Sequence, residues 1–152
     1  MGPGTQERAE RLGEKKVLVC PACPENGRTV YQGHLFVGDT LLSESGMQNH
    51  PLTPMRDPDI RRVLSKQTTW PVSHIHHKTV RQGASSIHDA ARTKTGSMAI
   101  VDAITDEDLI AIGKAAAGRR LVTGGSGIAN GLPANFGLTP QQKARTGTKR
   151  EA

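Results

Sequence analysis

The sequence predicts an α/β chain: three layers, with a mostly parallel sheet, flanking helices and an incomplete Rossmann-like domain. Three observations carry this. The second half alternates short apolar runs rich in β-branched residues with helical segments, ending in a glycine loop, and that rhythm calls for parallel strands joined by right-handed crossovers. The 17 glycines and 9 prolines among 152 residues punctuate the chain too closely for a long helical bundle. Aromatics make up only 3%, so the core must be built from Val, Ile, Leu and Ala.

The elements follow in order. Gln6–Lys16 (QERAERLGEKK) has the composition of a short solvated helix. Lys15–Cys20 (KKVLVC) is a charged start followed by a β-rich apolar run, the signature of a buried strand. CPACPENGRT ends it as a loop, with two prolines and an Asn-Gly pair. Thr29–Val37 (TVYQGHLFV) alternates in part and predicts a strand or hairpin arm running into Gly38-Asp39. Leu41–Pro58 is polar, with Pro51, Pro54 and Pro58, and predicts a long ordered loop of the kind that is usually functional.

Asp57–Lys66 predicts a helix with Asp57 as N-cap, Pro58 at the first helical position and Ile60, Val63 and Leu64 on one stripe. Val72–His76 and Thr79-Val80 predict short strands, and Ala84–Arg92 a helix. Met98–Ala103 (MAIVDA) is a buried strand with a carboxylate, Asp102, near its end. Thr105–Gly118 is the clearest helix: Thr105 caps it, Asp108 completes a capping-box variant, acids fill the first turn and Gly118 closes it. Arg119–Thr123 is a strand that leads into GGSGIANGLP.

Charge and composition exclude several functions. The net charge is +6, but half of the excess lies in the last twelve residues, on Lys143, Arg145, Lys149 and Arg150, and the body is close to neutral. A nucleic-acid protein would carry a basic stripe through its folded part, interleaved with aromatics, so no nucleic-acid partner is expected. Mean hydropathy is −0.47 and no apolar run approaches the roughly 20 residues that cross a bilayer, so no membrane partner is expected either. The opening residues lack an apolar segment, and two cysteines with no export signal predict a cytoplasmic protein with reduced thiols. The tail from residue 138 is polar and is expected to be disordered.

Several groups could carry chemistry. Ligands of parallel sheets bind beyond the carboxyl ends of strands, where Asp102 and the loop Gly124, Gly125, Ser126, Gly127 are expected. Such a loop either gathers backbone N–H groups around a carboxylate or phosphate, or is a tight turn that needs positive φ. It is not a Walker A motif, because no Gly-Lys-Ser/Thr follows, and too little chain follows it for a dinucleotide-binding βαβ unit. Pro24–Tyr31 places Asn26, Arg28 and Tyr31 around a turn, where Arg28 is either a clamp for a carboxylate or a solvated surface residue. Cys20 and Cys23 form a single CxxC, read as two partly buried thiols or as half of a zinc or redox site completed by His74, His76 and His77. Asn49 and His50 fall in the polar loop, and no nucleophile elbow is visible.

Taken together, CPACPENGRTVYQGHLFVGDTLLSESGMQNHPLTPMRDPDIRRVL, AIVDAITDEDLIAIGKA and LVTGGSGIANGLPANF resemble the four-carbon acid sugar kinases, the 3-oxo-tetronate kinase branch above all. The resemblance covers about Val17 to Gly137. It implies an ATP- and Mg²⁺-dependent enzyme that phosphorylates the terminal hydroxyl of a four-carbon sugar acid. It also implies two α/β domains, the first binding the sugar acid and the second the nucleotide. On this reading residues 1–16 are an N-terminal extension, 17–137 part of the sugar-acid domain and 138–152 a basic tail. The chain departs from the family in four ways. It has no ADDxTG strand end, no nucleotide domain after Phe136-Gly137, Cys23 where an aromatic is expected, and an atypical HIHHKTV stretch. The expected partners are therefore a four-carbon sugar acid and a separate nucleotide-binding domain; the ATP and Mg²⁺ site is not expected in this chain, nor is turnover by the chain alone. The implied substrate-binding set is Asn26, Arg28, Tyr31, Asn49, His50, Asp102, Gly124, Gly125, Ser126 and Gly127, and no catalytic residue is assigned.

Overall fold

The computed structural model describes residues 2–92 and 97–139. The predicted basic tail, with Lys143, Arg145, Lys149 and Arg150, lies outside the described residues from position 140 on. The elements are α1 (Gly2–Arg11), β1 (Lys16–Cys20), β2 (Arg28–Tyr31), β3 (His34–Val37), β4 (Thr40–Leu41), α2 (Ile60–Ser65), β5 (Val72–Ile75), α3 (His77–Val80), α4 (Ala84–Ala91), β6 (Ser97–Val101), α5 (Asp106–Ala115) and β7 (Val122–Gly124).

Four strands form an all-parallel sheet in the order β5-β6-β1-β7. Its two inner strands are apolar and buried, as a sheet covered on both faces requires: Val17, Leu18 and Val19 in β1, Met98, Ile100 and Val101 in β6. Each such side chain contributes about 1.5–3 kcal/mol of transfer free energy, which makes this pair the centre of the core. From β1 the chain crosses two places to β5, then returns through β6 to β7. Right-handed crossovers therefore put α2 on one face and α4 and α5 on the other, where these two pack together. The reversal falls between β1 and β6, the point beyond whose carboxyl ends ligands of such sheets characteristically bind.

The α/β class and the parallel sheet agree with the sequence, β7 is Val122–Gly124 where Arg119–Thr123 was expected, and further local features refine or correct the reading. First, Thr29–Val37 is not one strand but the β2–β3 hairpin of a separate antiparallel sheet, β2-β3-β4. Tyr31 pairs with His34 across Gln32 (φ 51) and Gly33 (φ 71), and two successive positive φ values make a turn whose twist suits a hairpin. Gln at the first position hides the usual Asn-Gly signal.

Second, the cap of α2 is Asp59, not Asp57. The Asp59 carboxylate accepts from the N–H groups of Arg61 and Arg62, while Asp57 accepts from the Asp59 N–H and grips the Arg62 guanidinium. Both positions carry the preferred residue type, and the register of the helix decides between them.

Third, Thr79-Val80 is helical, within α3. Fourth, the loop after β4 is organised by short 3-10 turns at Leu42–Glu44 and Met47–Asn49. Fifth, Gly124, Gly125 and Gly127 do not need positive φ; their smallness serves packing. A Cβ on Gly124 would strike the carbonyl oxygen of Cys20, and one on Gly127 that of Ala22.

The first helix is partly docked rather than wholly solvated. Its Ala9 is buried, and the Gln6 side chain bonds both Thr68 and Thr69. The predicted capping box of α5 forms: the Thr105 hydroxyl accepts from the Asp108 N–H, and the Asp108 carboxylate accepts from the Thr105 N–H.

Candidate functional site

The carboxyl edge of the parallel sheet is spanned by β2. At one end, Cys23 and Arg28 exchange backbone hydrogen bonds beside the glycine loop. In the middle, Val30 exchanges two with Ala103, just past β6. At the far end, the hairpin turn sits over the exit of β5.

Asp102 anchors that far end. It is fully buried, and its carboxylate accepts four hydrogen bonds: from the N–H of Gln32 (2.9 Å), Gly33 (3.0 Å) and His77 (3.0 Å), and from His74 Nε2 (2.7 Å). Burial pushes its carboxyl up, but the His74 contact and the Gly33 and His77 N–H groups outweigh burial and hold it below the ordinary carboxylate range. Four donors take up the lone-pair positions of a carboxylate, so Asp102 fixes the hairpin and the exit of β5 relative to β6.

Three histidines surround it. His74 is mostly buried, and its Nδ1 is shielded from solvent without a partner. The ring of His76 lies 4.1 Å from that of His74, with its Nδ1 3.2 Å from Gln32 Oε1. His77 places Nε2 3.0 Å from Asp108 Oδ2 and meets the edge of the half-exposed Tyr31 ring. The His77–Asp108 pair lines a 400 Å³ cavity with Arg81, Thr105 and Glu107.

The ten predicted site residues fall into three places. Asn26 and Arg28 are exposed on the turn beside Cys23, whose Sγ lies 3.7 Å from Ser126 Oγ; Gly124, Gly125, Ser126 and Gly127 are thus their neighbours. Within that loop the Gly125 N–H already donates to the Cys20 carbonyl. Tyr31 and Asp102 stand at the other end of β2, and strand alternation puts Arg28 and Tyr31 on opposite faces. Asn49 and His50 lie apart in the long loop. There His50 Nδ1 accepts from the N–H groups of Leu52 and Thr53, and among the described residues no side-chain hydrogen bond joins it or Asn49 to the other eight. His74, His76, His77 and Asp108 were outside the predicted set. The HIHH string alone reads as a strand with polar ends, and only the pairing of β5 with β6 brings it to Asp102.

The CxxC sits inside the fold rather than on its surface. Both thiols are buried, burial pushes Cys20 up to about 12, and among the described residues neither cysteine joins a group of three ligating side chains. The glycine loop opens a 3-10 turn of six residues, Ser126–Gly131, packs against the backbone of Cys20 and Ala22, and is not followed directly by Gly-Lys-Ser/Thr.

A family model described as the sugar-binding N-terminal domain matches residues 1–132. The chain belongs to the sugar-binding N-terminal domain family. It is 48% identical over 148 residues to a 3-oxo-tetronate kinase of Burkholderia multivorans, covering 95% of this chain and 35% of that one. It is 49% identical over 139 residues to a 3-oxo-tetronate kinase of Pseudomonas savastanoi, covering 90% and 32%. A solved Haemophilus influenzae protein of the DUF1537 family superposes with a TM-score of 0.84 at 38% identity, covering 89% of this chain and 34% of that one. The chain thus spans about a third of the length of the curated relatives it matches. Among the described residues no helix is long and apolar enough to cross a membrane.

Proposed function

We propose that this chain provides part of the sugar-acid-binding face of an ATP-dependent kinase acting on a four-carbon, 3-oxo-tetronate-type acid. The observation that carries the proposal is the 48–49% identity to 3-oxo-tetronate kinases over nine-tenths of the chain or more, within a sugar-binding family. In this reading the acid's carboxylate meets the exposed Arg28 guanidinium in a bidentate contact, and its hydroxyls meet Asn26, Ser126 and the edge of the glycine loop. Tyr31, Asn49 and His50 approach from the rim, and Asp102 acts from behind by holding the hairpin in place. ATP and Mg²⁺ come from a nucleotide-binding part outside this span, in a cytoplasmic enzyme. Phosphoryl transfer depends on positioning, so an acid held on one domain and a nucleotide on another must be brought into line before anything reacts.

Calorimetric titration of the 152-residue chain with four-carbon sugar acids tests this. Saturable heat with a 3-oxo-tetronate-type acid, reduced at least tenfold in affinity by Arg28→Ala, is expected, together with no acid-dependent ADP release by the chain alone. No heat from a cooperatively melting sample rejects the binding site, and acid-dependent ADP release rejects the division of labour.

A further inference from the structure

We propose that His74 and His76 form a binding site for one divalent transition-metal ion, with Asp102 as the carboxylate that orients His74. His74, His76 and Asp102 each bring one potential ligand atom within 4.8 Å of the others, the sole such trio of histidine, cysteine or acidic side chains among the described residues.

The hydrogen bonds assign the roles. Asp102 spends its acceptor capacity on three backbone N–H groups and His74 Nε2, so its oxygens are not free to ligate. Asp102 Oδ1 lies 2.7 Å from His74 Nε2, and in a neutral ring that donates there the free lone pair is on Nδ1. That nitrogen is one of three buried side-chain atoms without a hydrogen-bond partner among the described residues, with Gln48 Oε1 and Arg119 Nε, an arrangement that costs free energy unless something occupies it. A metal-bound imidazole characteristically gives its other N–H to a carboxylate, which orients the ring and strengthens it as a ligand, and His74–Asp102 has that form.

His76 repeats the pattern. Its Nδ1 faces the Gln32 side-chain oxygen at 3.2 Å, which leaves Nε2 as the free nitrogen. Residues two apart on an extended segment project to one side, and the two rings stand 4.1 Å apart at 55°. His76 is exposed, so its ring is free to reorient toward an ion held at the usual distance of about 2.0–2.1 Å. Two neutral imidazoles backed by a carboxylate suit Zn²⁺, Ni²⁺, Co²⁺ or Cu²⁺ rather than Mg²⁺ or Ca²⁺, which take oxygen ligands. Solvent fills the remaining positions. This inference shares Asp102 with the sugar-acid reading but uses none of Asn26, Arg28 or the glycine loop, and a zinc titration without sugar acid tests it separately.

The test is titration of the metal-free 152-residue chain with ZnCl₂ against a fluorescent zinc chelator, repeated with MgCl₂. One Zn²⁺ per chain and no response to Mg²⁺ are expected. His76→Ala, a change at an exposed side chain, should weaken Zn²⁺ binding at least tenfold with the melting temperature unchanged. His88→Ala, on the exposed face of α4, should leave binding as it was. Asp102→Asn should weaken it about 10- to 100-fold, as loss of an orienting partner does. Absence of stoichiometric Zn²⁺ binding, or binding that survives His76→Ala intact, overturns the proposal, and the second outcome moves the ion to other side chains.

Discussion

At the scale of single residues, two buried carboxylates do most of the organising, and both work through backbone N–H groups. Asp102 ties a hairpin turn and the exit of β5 to the end of β6. Asp59 caps α2 and takes a two-pronged contact from Arg61. That contact, above all, with the N–H groups of Arg61 and Arg62, lowers the Asp59 carboxyl from the ordinary 3.8 to about 2 despite its burial. The folded chain therefore binds this proton less readily than the unfolded chain. The resulting stabilisation is present above the unfolded value and is lost as pH falls through the folded one, between about pH 4 and pH 2. Asp59→Asn keeps a capping side chain but removes the charge. Denaturation followed by circular dichroism should show lower stability for this variant at pH 7 and a shallower acid limb. An acid limb identical to that of the unaltered chain would contradict the assignment. The sequence marked Asp102 as important by its place at a strand end, but not the use to which it is put. Nothing along the chain says that Gln32, Gly33, His74 and His77 will meet there.

At the scale of elements, α5 was the most legible and the hairpin the least. The helix carries its own instructions: a Thr cap, an acid three residues on and apolar positions at helical spacing; the glycine expected to close it, Gly118, lies in the turn beyond the Ala116 cap. Thr105→Ala removes one half of the capping box and should cost about 1 kcal/mol, read as a lower denaturation midpoint at unchanged m-value. An unshifted midpoint would mean that tertiary packing alone holds the helix start. That packing is tight. A Cβ on Gly113 would collide with the carbonyl of Gly131, so α5 and the 3-10 turn after β7 approach with backbone nearly on backbone. The β2–β3 turn gave no comparable signal. Gln32 adopts positive φ without being one of the residue types that favour it, under the constraint of Asp102 on its N–H. The two candidate caps of α2 illustrate a further limit: both are aspartates, and sequence cannot say which carboxylate will find free N–H groups.

At the scale of the whole molecule, a four-stranded parallel sheet and a small antiparallel sheet meet along one edge, and most of the candidate chemistry gathers there. Beside the core, a hollow of 630 Å³ is walled largely by apolar side chains, among them Leu35, Leu42, Ile60, Val63 and Leu64, with Pro54 and Met55 at its loop side. A hollow of this size and character should admit an amphiphilic dye such as ANS in the native state. Enhanced ANS fluorescence is expected at neutral pH, and Val63→Phe, which fills part of the space, should reduce it without lowering the melting temperature. A native chain that leaves the dye dark would show the hollow closed in solution.

What the sequence determined by itself was local or periodic: the buried strands, the capped helix, the α/β class, the near-neutral body and, through long matched strings, the resemblance to the four-carbon acid sugar kinases. Those properties follow from side-chain spacing and from hydrogen bonds between near neighbours, which any reader of the chain can count. Only the tertiary structure decided that β5 lies beside β6, that β2 crosses the sheet's carboxyl edge, and that His74 and His76 stand against Asp102 while Asn49 and His50 stand apart. These juxtapositions join residues from 25 to more than 100 positions apart in the chain. Strand order in a parallel sheet is set by which faces can be buried together, a property of the assembled core that no single segment contains.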